Sequence, residues 1–502
     1  MRVDETRTIA DLLATGEPAR AALIGTEPDR VLTYDELRAQ VASLTGQLLA
    51  SGLEPGARVA IILPNGPEFI VTFLSVAGAR LTAAPFNAAQ VAELAALWTD
   101  ARIRAVIAAA EDRATQAIAT RLGLPFWPLA VDSAGRVRLD VPAHGRRSDE
   151  APRPSDVALF LHTSGTTSKP KGVPLTHGNL MYSIANIAEG YRLTAADCTL
   201  LVMPLFHVHG LIGATLSTLH SGGTVAAPPR FSAGTFWTTA RAHRATWYSA
   251  VPTIHRTLLL RAATDAPAQS GFRFIRSCSS ALAPAMLAQM EERFQAPVLE
   301  AYGMTEAAHQ IATNPIPPAP HKAGSVGLGG RVEIAIIDDQ GHILPRGTAG
   351  EVAIKGPNVT LGYDQNPSAN AAAFVNGYLR TGDRGVLDAD GYLSLIGRIK
   401  ELINRAGEKI SPLEVDALLL AHPAVAEAAS FGVPDDKYGE EICAAVVLKG
   451  PASAEELQTF CRDQLAAFKV PKVFHFVTEL PKTATGKVQR SALTASFTAK
   501  AK

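Results

Sequence analysis

The alternation of apolar and polar positions predicts an α/β fold over about the first 330 residues. Thr33 and Glu36 form a capping-box pattern, and apolar residues follow at positions 37, 41, 44 and 48, which is helical spacing. A Pro-Gly turn then leads into the apolar run Val59–Leu63, which is typical of a buried parallel strand. Because similar alternation continues along this region, we expect doubly wound layers of helices and parallel strands.

The pattern changes twice further along the chain. From about 332 to 397, short strand-like runs are separated by glycine, which predicts a β-rich subdomain within an N-terminal domain of residues 1–397. Residues 398–502 then predict a small, mobile α+β C-terminal domain. Its evidence is two capping-box patterns and three strand-like runs: Ser411 with Glu414, Ser453 with Glu456, Val425–Phe431, Ile442–Leu448 and Val473–Val477. Residues 132–156, rich in Pro and Arg, are predicted to be a loop.

Length, charge and cysteine usage narrow the class of protein. A chain of 502 residues is too long for one core, so two or more domains are expected. Lys+Arg and Asp+Glu are both 47, so no global charge favours nucleic acid or an anionic membrane. The uncharged stretch 198–229 is interrupted by Pro, His and Gly, which favours a buried core segment over a membrane span. Four scattered cysteines and an N-terminus without a signal-peptide pattern predict a cytoplasmic protein.

The run LHTSGTTSKPKG at 161–172 carries the strongest functional signal. Its glycines allow close approach of the backbone to a ligand, and its hydroxyls and N–H groups can face a polyanion. It is not a Walker A loop, because no Lys-Ser/Thr pair follows the second glycine. The predicted phosphate-binding residues are Thr163, Ser164, Gly165, Thr166, Thr167 and Lys171.

This run resembles the phosphate-binding loop of the adenylate-forming superfamily, which includes acyl-CoA synthetases, luciferases and peptide-synthetase adenylation domains. Four further segments resemble that family's motifs in the same order, namely EAYGMTE at 300–306, YLRTGD at 378–383, GRIKE at 397–401 and PKTATGKVQR at 481–490. The resemblance covers essentially the whole chain. It implies that Tyr302 stacks on adenine, Thr305 contacts the α-phosphate, Glu306 binds Mg²⁺, Asp383 holds the ribose, Arg398 contacts the nucleotide and Lys487 contacts the acid and the α-phosphate.

The reaction that the resemblance implies has two steps. A carboxylate attacks the α-phosphate of ATP and expels pyrophosphate, with Lys487, Thr305, Glu306 and His207 as catalytic residues. The C-terminal domain then rotates about Lys400, and coenzyme A takes the acyl group. Gly407 would leave room for the pantetheine arm, and Lys409 lies in the same loop. The implied cofactors and substrates are therefore ATP, Mg²⁺, coenzyme A and a carboxylic acid.

The acid pocket is expected to be polar. The segments that the resemblance assigns to it contain His207, His209, Ser279, Ser280 and His309, which could satisfy a second carboxylate. These side chains could instead bond backbone or water. Several runs, among them FHVHGL and FIRSCSSALAP, closely resemble the oxalate–CoA ligase branch, which favours oxalate as the substrate.

Several alternatives remain open from the sequence. The acid could be malonate, another short acid or a medium-chain fatty acid, and the acceptor could be a separate carrier protein. A catalytically inactive nucleotide-binding regulatory protein is a different class, but it would be expected to have lost Glu306 or Lys487, and both are present. The sequence gives no expectation of the oligomeric state.

Overall fold

The first 313 residues alternate strands and helices in the computed structural model, which describes residues 6–27, 29–133, 135–143, 145, 150–163, 170–267, 269–483 and 486–498. The strands are β1 (Ala21–Thr26), β2 (Asp29–Thr33), β3 (Arg58–Ile62), β4 (Thr82–Pro85), β5 (Ile103–Ala109), β6 (Phe126–Val131), β7 (Val137–Leu139), β8 (Val157–His162), β9 (Gly172–Thr176), β10 (Cys198–Leu200), β11 (Thr224–Ala227), β12 (Trp247–Ala250), β13 (Phe274–Ser277), β14 (Val298–Met304) and β15 (His309–Thr313). The α-helices are α1 (Tyr34–Ala50), α2 (Pro67–Gly78), α3 (Val91–Asp100), α4 (Arg113–Arg121), α5 (His177–Gly190), α6 (Ser217–His220), α7 (Phe236–Ala242), α8 (Pro252–Asp265) and α9 (Pro284–Phe294).

These strands form two sheets, and each has a parallel centre with antiparallel edges. The seven-stranded sheet has the order β7-β6-β5-β3-β4-β8-β9, and the eight-stranded sheet has the order β15-β14-β13-β12-β10-β11-β1-β2. The edge strands β7, β9, β2 and β15 each pair antiparallel with their neighbours. One continuous apolar core joins both sheets to α1, α2 and α5. The predicted α/β class is therefore confirmed.

The next segment contains a five-stranded antiparallel sheet. Its elements are β16 (Glu333–Ile337), β17 (Gly350–Lys355), α10 (Pro367–Ala373), β18 (Phe374–Val375), β19 (Tyr378–Leu387) and β20 (Leu393–Arg398). The order is β16-β17-β19-β18, and β20 also pairs with β19. In that pairing Asp383 lies directly opposite Arg398, so the sheet register brings two predicted site residues together.

The last segment forms a separate sheet with three helices. Its elements are β21 (Ile403–Arg405), β22 (Glu408–Ile410), α11 (Pro412–Ala421), β23 (Val425–Asp435), β24 (Gly439–Leu448), α12 (Ala454–Arg462), β25 (Val473–Phe476) and α13 (Arg490–Thr498). The order is β22-β21-β24-β23, and β25 pairs parallel with β24. Its own core contains the side chains of Ile403, Val415, Leu419 and Ile442. The strand-like runs predicted in this segment are confirmed.

Local details differ from the sequence expectations in two places. The predicted loop 132–156 contains strand β7, because Val137 and Leu139 are buried and this segment pairs with β6 at the edge of the seven-stranded sheet. The capping box at Ser411 is only half formed: its hydroxyl accepts from the Glu414 amide, but the Glu414 carboxylate binds Lys469 at 2.7 Å. The boxes at Thr33 and Ser453 are complete.

The uncharged stretch 198–229 is a buried core segment, as predicted. Most of its residues are buried in β10, a π-helix at His209–Leu216, α6 and β11. Across the ranges that the structure describes, no helix is both long enough and apolar enough to cross a membrane.

Candidate active site

The predicted phosphate loop lies at the turn between the antiparallel strands β8 and β9. Ser164, Gly165, Thr166 and Thr167 fall outside the described residues, so only the two ends of the loop can be placed. The Thr163 amide donates to the Lys171 carbonyl at 2.9 Å, and the Lys171 amide donates to the Thr163 hydroxyl at 3.1 Å. The Lys171 ammonium lies 4.4 Å from the centre of the Tyr363 ring. The two strand ends are therefore closed together, with a lysine beside an aromatic ring.

Glu306 follows β14 in a single 3₁₀ turn, Thr305–Ala307. Its side chain is 7% exposed, and the Tyr363 hydroxyl donates to its Oε1 at 2.9 Å. The Thr360 amide donates to the Glu306 carbonyl at 2.8 Å, which fixes the turn from the other side. One carboxylate oxygen is thus held, and the other has no hydrogen-bond partner among the described residues.

Glu306 suits a magnesium ion that shares its shell with phosphate oxygens. Among the described residues, no group of three or more His, Cys, Asp or Glu could hold a metal alone. Mg²⁺ in nucleotide sites is usually bound by one or two carboxylates plus substrate phosphates and water. A single, well-oriented carboxylate therefore fits this ion better than an all-protein cage would.

Tyr302, Asp383 and Arg398 form one connected cluster. The Tyr302 hydroxyl donates to the Asp383 carboxylate, and Arg398 Nε lies 3.0 Å from Asp383 Oδ1. Burial and then the Asp383 charge raise the pKa of Tyr302 well above its usual range. Burial lowers the pKa of Arg398, but Asp383 and Tyr302 outweigh it, so this pKa lies above its ordinary value. The tyrosine therefore stays a neutral donor, and the arginine stays charged.

Lys487 belongs to the last segment, yet its charge interacts with those of the same cluster. Its loop is closed by the Thr483 amide, which donates to the Lys487 carbonyl at 2.8 Å. Gly486 has φ +82°, and a Cβ there would lie 2.7 Å from the Thr253 hydroxyl at the start of α8. Burial and the Arg398 charge lower the pKa of Lys487, while Asp383 and Glu306 act in the opposite direction. The lysine therefore lies within the field of the residues predicted to bind nucleotide and metal.

Two of the predicted acid-pocket histidines belong to one segment before and within the π-helix. Burial and then the Lys487 charge lower the pKa of His207 to about 3, so it is neutral. His209 is fully buried, and both of its ring nitrogens are occupied: Nδ1 lies 3.0 Å from the Ser279 hydroxyl and Nε2 lies 2.6 Å from the Ser249 hydroxyl. Both ring nitrogens of His209 thus have serine partners, and its predicted contact with the acid stays a prediction.

The two predicted serines differ in their surroundings. Ser279 is partly buried and adopts φ +75°, a conformation that non-glycine residues rarely adopt and that is found most often at functional sites. This backbone turns its hydroxyl toward His209. Ser280, the next residue, is exposed. Of the two serines, Ser279 is therefore the one that forms a hydrogen bond with His209.

His309 stacks on His209, with ring centres 5.2 Å apart and planes 22° apart. Its Nε2 is buried and has no hydrogen-bond partner among the described residues. Two glycines make room for it: a Cβ at Gly213 would lie 2.5 Å from this Nε2, and a Cβ at Gly303 would lie 2.0 Å from the His309 carbonyl oxygen. Ala308 and His309 both have positive φ, 46° and 93°. Two consecutive residues with positive φ therefore place this imidazole, three positions after Glu306.

The residues predicted for the domain pivot and for coenzyme A lie on exposed parts of the chain. Lys400 is in a 3₁₀ turn, Ile399–Glu401, that joins β20 to β21. Gly407 has φ +93° at the β21–β22 turn, where a Cβ would face open space, and Lys409 is exposed on β22. The structure shows these residues accessible to solvent, and it leaves their predicted roles untested.

Sequence reasoning missed several polar residues of the site. Arg276 donates hydrogen bonds to Ser249 and Gln310, next to His209. Tyr363 donates a hydrogen bond to Glu306. The sequence signal for the first three was Arg276 itself, a charged residue within the mainly apolar strand segment around Phe274. Tyr363 gave none, since it lies 57 positions from its partner and outside every motif.

Comparison with known proteins places the chain in a family. The AMP-binding enzyme model matches residues 12–364, and the AMP-binding enzyme C-terminal domain model matches residues 414–487. An oxalate–CoA ligase of Arabidopsis thaliana is 48% identical over 480 residues, covering 93% of this chain and 93% of that protein. An oxalate–CoA ligase of Saccharomyces cerevisiae is 52% identical over 352 residues, covering 69% of this chain and 64% of that protein.

Solved structures agree with this assignment. ATP-bound MatB from Rhodopseudomonas palustris superposes with a TM-score of 0.89 at 30% identity, covering 100% of both chains. The apo form of MatB superposes with a TM-score of 0.79 at 29% identity, again over 100% of both chains. The arrangement of this chain is therefore more similar to the ATP-bound form than to the apo form.

Proposed function

Because the chain belongs to the AMP-binding enzyme family, we propose that it is an ATP-dependent acid–CoA ligase whose acid is oxalate. ATP and oxalate form oxalyl-adenylate and pyrophosphate, and coenzyme A then displaces AMP to give oxalyl-CoA. The proposal is supported by the hydrogen-bonded cluster of Tyr302, Asp383 and Arg398. It is also supported by Lys487, whose pKa responds to Arg398, Asp383 and Glu306 and whose charge acts on His207. Cationic groups thus converge where two anions would have to meet.

The first step needs charge neutralisation and positioning more than proton transfer. A carboxylate and a triphosphate repel each other, and cations fixed in a partly buried site offset that repulsion without reorganising. Lys487 and Arg398 supply two such charges, and the Thr305 hydroxyl would donate to the α-phosphate. Mg²⁺ bound at Glu306 would neutralise the phosphates that leave as pyrophosphate.

The cluster of Tyr302, Asp383 and Arg398 suits the nucleoside. An ionised carboxylate accepts hydrogen bonds from two hydroxyls at once, which is the demand of a ribose 2′,3′-diol. Asp383 is already oriented by Tyr302 and Arg398, so little ordering is required on binding. The Tyr302 ring, on the preceding strand β14, is the aromatic surface for adenine. Thr163 to Thr167 and Lys171 would hold the phosphates.

The second step requires the lysine loop to withdraw. We propose that residues 398–502 move as a C-terminal domain about Lys400, away from the N-terminal domain of residues 1–397. The exposed turn at Ile399–Glu401 and the greater similarity to an ATP-bound structure support the view that this chain is in the orientation for adenylation. Rotation would bring Gly407 and Lys409 toward the adenylate, where coenzyme A attacks.

The acid pocket supports a small acid with a second charge. A carboxylate taken from water costs several kcal/mol unless donors satisfy it. His207, Ser279 and His309 would donate hydrogen bonds to it, since both imidazoles are neutral and the His309 ring lies where Gly213 has no side chain. If the acid carried an alkyl chain, that chain would bury these polar groups and leave them without hydrogen-bond partners. The buried, free cysteines suit a reducing compartment, and we propose that the reaction takes place in the cytoplasm.

A panel of acids tests the proposal directly. Purified protein is supplied with ATP, Mg²⁺ and oxalate, malonate, acetate, octanoate or cinnamate, with and without coenzyme A, and AMP, pyrophosphate and thioester are measured. We expect oxalate to have the highest kcat/KM and turnover to require coenzyme A. A preference for octanoate or cinnamate would contradict the polar pocket. Adenylate formation with no thioester would favour a separate carrier protein as the acceptor.

A further inference from the structure

Arg276 is a buried cation without a carboxylate partner among the described residues. It lies on β13, its side chain is 0% exposed, and its recorded partners are all neutral. Nε donates to the Tyr191 hydroxyl at 2.7 Å, Nη1 to the Ser249 hydroxyl at 3.0 Å and Nη2 to the Gln310 side-chain oxygen at 3.1 Å. Burying a charge costs free energy unless an anion compensates it. A negatively charged ligand could therefore supply the compensating charge that the protein does not provide at this site.

The nearby Arg273 shows the usual way in which an arginine charge is compensated inside a protein. Arg273 lies three residues earlier and binds Asp197 at 3.0 Å, so its charge is compensated within the protein. Burial lowers the pKa of Arg276, but Tyr191 and Cys278 outweigh burial, so this pKa lies above its usual value. Arg276 therefore keeps its charge while it has no carboxylate beside it.

The hydrogen bonds beyond Arg276 have a defined direction. Guanidinium groups only donate, so Ser249 accepts from Arg276 and keeps its own hydroxyl proton. Among the described contacts of Ser249, the acceptor available for that proton is His209 Nε2, at 2.6 Å, so the arrangement that satisfies the hydroxyl makes Nε2 an acceptor. Burial and then the Arg276 charge lower the pKa of His209 well below its usual value, so the ring is neutral and carries one proton. In this tautomer the proton lies on Nδ1, which donates to the Ser279 hydroxyl at 3.0 Å.

Ser279 is the end of this chain of donors. Because its oxygen accepts from His209, its hydroxyl proton is free to point at a ligand. Resting on the proposed function, we propose that Arg276 is a positioning residue that, through Ser249 and His209, makes Ser279 a donor to the second carboxylate of the acid and so selects a dianionic substrate. His309, stacked on His209, is also kept neutral by burial and then by the Arg276 charge. Among the charges that act on both imidazoles, that of Arg276 has the largest effect.

Oxalate and oxamate test this selection, since oxamate replaces one carboxylate with an uncharged amide of nearly the same shape. The variants are Arg276→Gln, Arg276→Lys and Ser249→Ala, and Arg273→Gln is the control from the same segment. We expect Arg276→Gln and Ser249→Ala to lower kcat/KM for oxalate at least about 10-fold and to change kcat/KM for oxamate less than about 3-fold. Arg276→Lys should recover part of the loss, and Arg273→Gln should leave the oxalate-to-oxamate ratio unchanged.

A structural role alone would lower both activities together. Equal losses on the two acids, or an unchanged ratio in Ser249→Ala, would overturn the proposal. If Arg276→Gln does not fold, Ser249→Ala decides, because it leaves the buried arginine in place. If the wild-type enzyme prefers malonate, malonate and its monoamide replace the oxalate pair. A wild-type enzyme that accepts only monocarboxylic acids would overturn both this inference and the choice of oxalate, whereas unchanged ratios with an active oxalate enzyme would overturn this inference alone.

Discussion

The hydroxyl of Tyr363 donates a hydrogen bond of 2.9 Å to one carboxylate oxygen of Glu306. Both side chains are buried, with 9% and 7% exposure. Burial and then the Glu306 charge raise the pKa of Tyr363, so the hydroxyl remains a donor at any physiological pH. One oxygen of the proposed magnesium ligand is thus fixed by a residue that belongs to no motif.

Replacing Tyr363 with Phe is expected to weaken magnesium use. Without the donor, Glu306 loses its fixed orientation, and a hydrogen bond to a charged group contributes about 1.5–3 kcal/mol. We expect the Mg²⁺ concentration for half-maximal rate to rise about 10- to 100-fold, with kcat at saturating Mg²⁺ within about 2-fold of wild type. Initial rates against free Mg²⁺ measure this. Tyr392→Phe is the matched control, since among the described residues that hydroxyl binds only the Pro320 carbonyl, at 2.6 Å. Equal effects in both variants would remove Tyr363 from the metal site.

Lys487→Ala is expected to separate the two half-reactions. The amine lies among nucleotide-site charges in this orientation, so its loss should lower the rate of adenylate formation about 10²- to 10³-fold. Thioester formation from preformed oxalyl-adenylate and coenzyme A should change less than about 3-fold, because the lysine has withdrawn by then. Pyrophosphate release and single-turnover thioester formation report the two steps. Lys482→Ala removes a lysine near the same loop that pairs with Glu427 and should affect neither step. Equal losses in both steps would argue against two domain orientations.

Gly213→Ala is expected to displace the His309 ring. A Cβ at this position would lie 2.5 Å from Nε2, which is too close for any contact, and the π-helix backbone cannot move without disturbing its own hydrogen bonds. We expect KM for oxalate to rise at least about 10-fold while ATP affinity is unchanged. Gly46→Ala in α1, where a Cβ meets nothing within 4 Å, is the control and should be neutral or slightly stabilising. Unchanged KM in Gly213→Ala would place His309 outside the acid pocket.

Glu300 should make the stability of the fold depend on pH. It is 5% exposed and accepts amide protons from Gly324 at 3.0 Å and Leu282 at 3.3 Å. Burial raises its pKa to about 7, against an ordinary value of 4.5. A carboxyl whose pKa is raised on folding stabilises the protein fully below its unfolded pKa, and that stability is lost as the pH rises through about 7.

The measurement for Glu300 is a comparison with Glu300→Gln, which does not titrate. The free energy of unfolding of the wild type, relative to the variant, should fall by about 2–3 kcal/mol between pH 5 and pH 8. Urea unfolding at several pH values gives the difference, and titrations shared by both proteins cancel. A difference independent of pH would show that Glu300 has no raised pKa.

The candidate nucleotide site was proposed from the sequence because its residues sit in short, contiguous segments. The chemistry of such a segment depends only on residues that are close in sequence. Examples are the loop of glycine and hydroxyl residues between two strands, and Tyr302, Thr305 and Glu306 within five positions. The alternation of apolar runs and capping patterns likewise indicated the α/β layers, since these periods depend only on neighbouring residues. The miss at Val137–Leu139 followed from the same limit, because an edge strand three residues long depends on the sheet it joins.

The acid pocket was decided by tertiary structure. His209 read as a substrate ligand in the sequence, and only the folded chain shows that Ser249 and Ser279, 40 and 70 positions away, occupy both of its nitrogens. Tertiary structure also decides that the charge of Arg276 is buried. It also packs Gly486 close to Thr253, which positions the loop that carries Lys487. Sequence determined which chemical groups are present and the local backbone that presents them. Folding decided which groups meet, because burial, hydrogen-bond direction and the field of a distant charge depend on residues that the sequence keeps far apart.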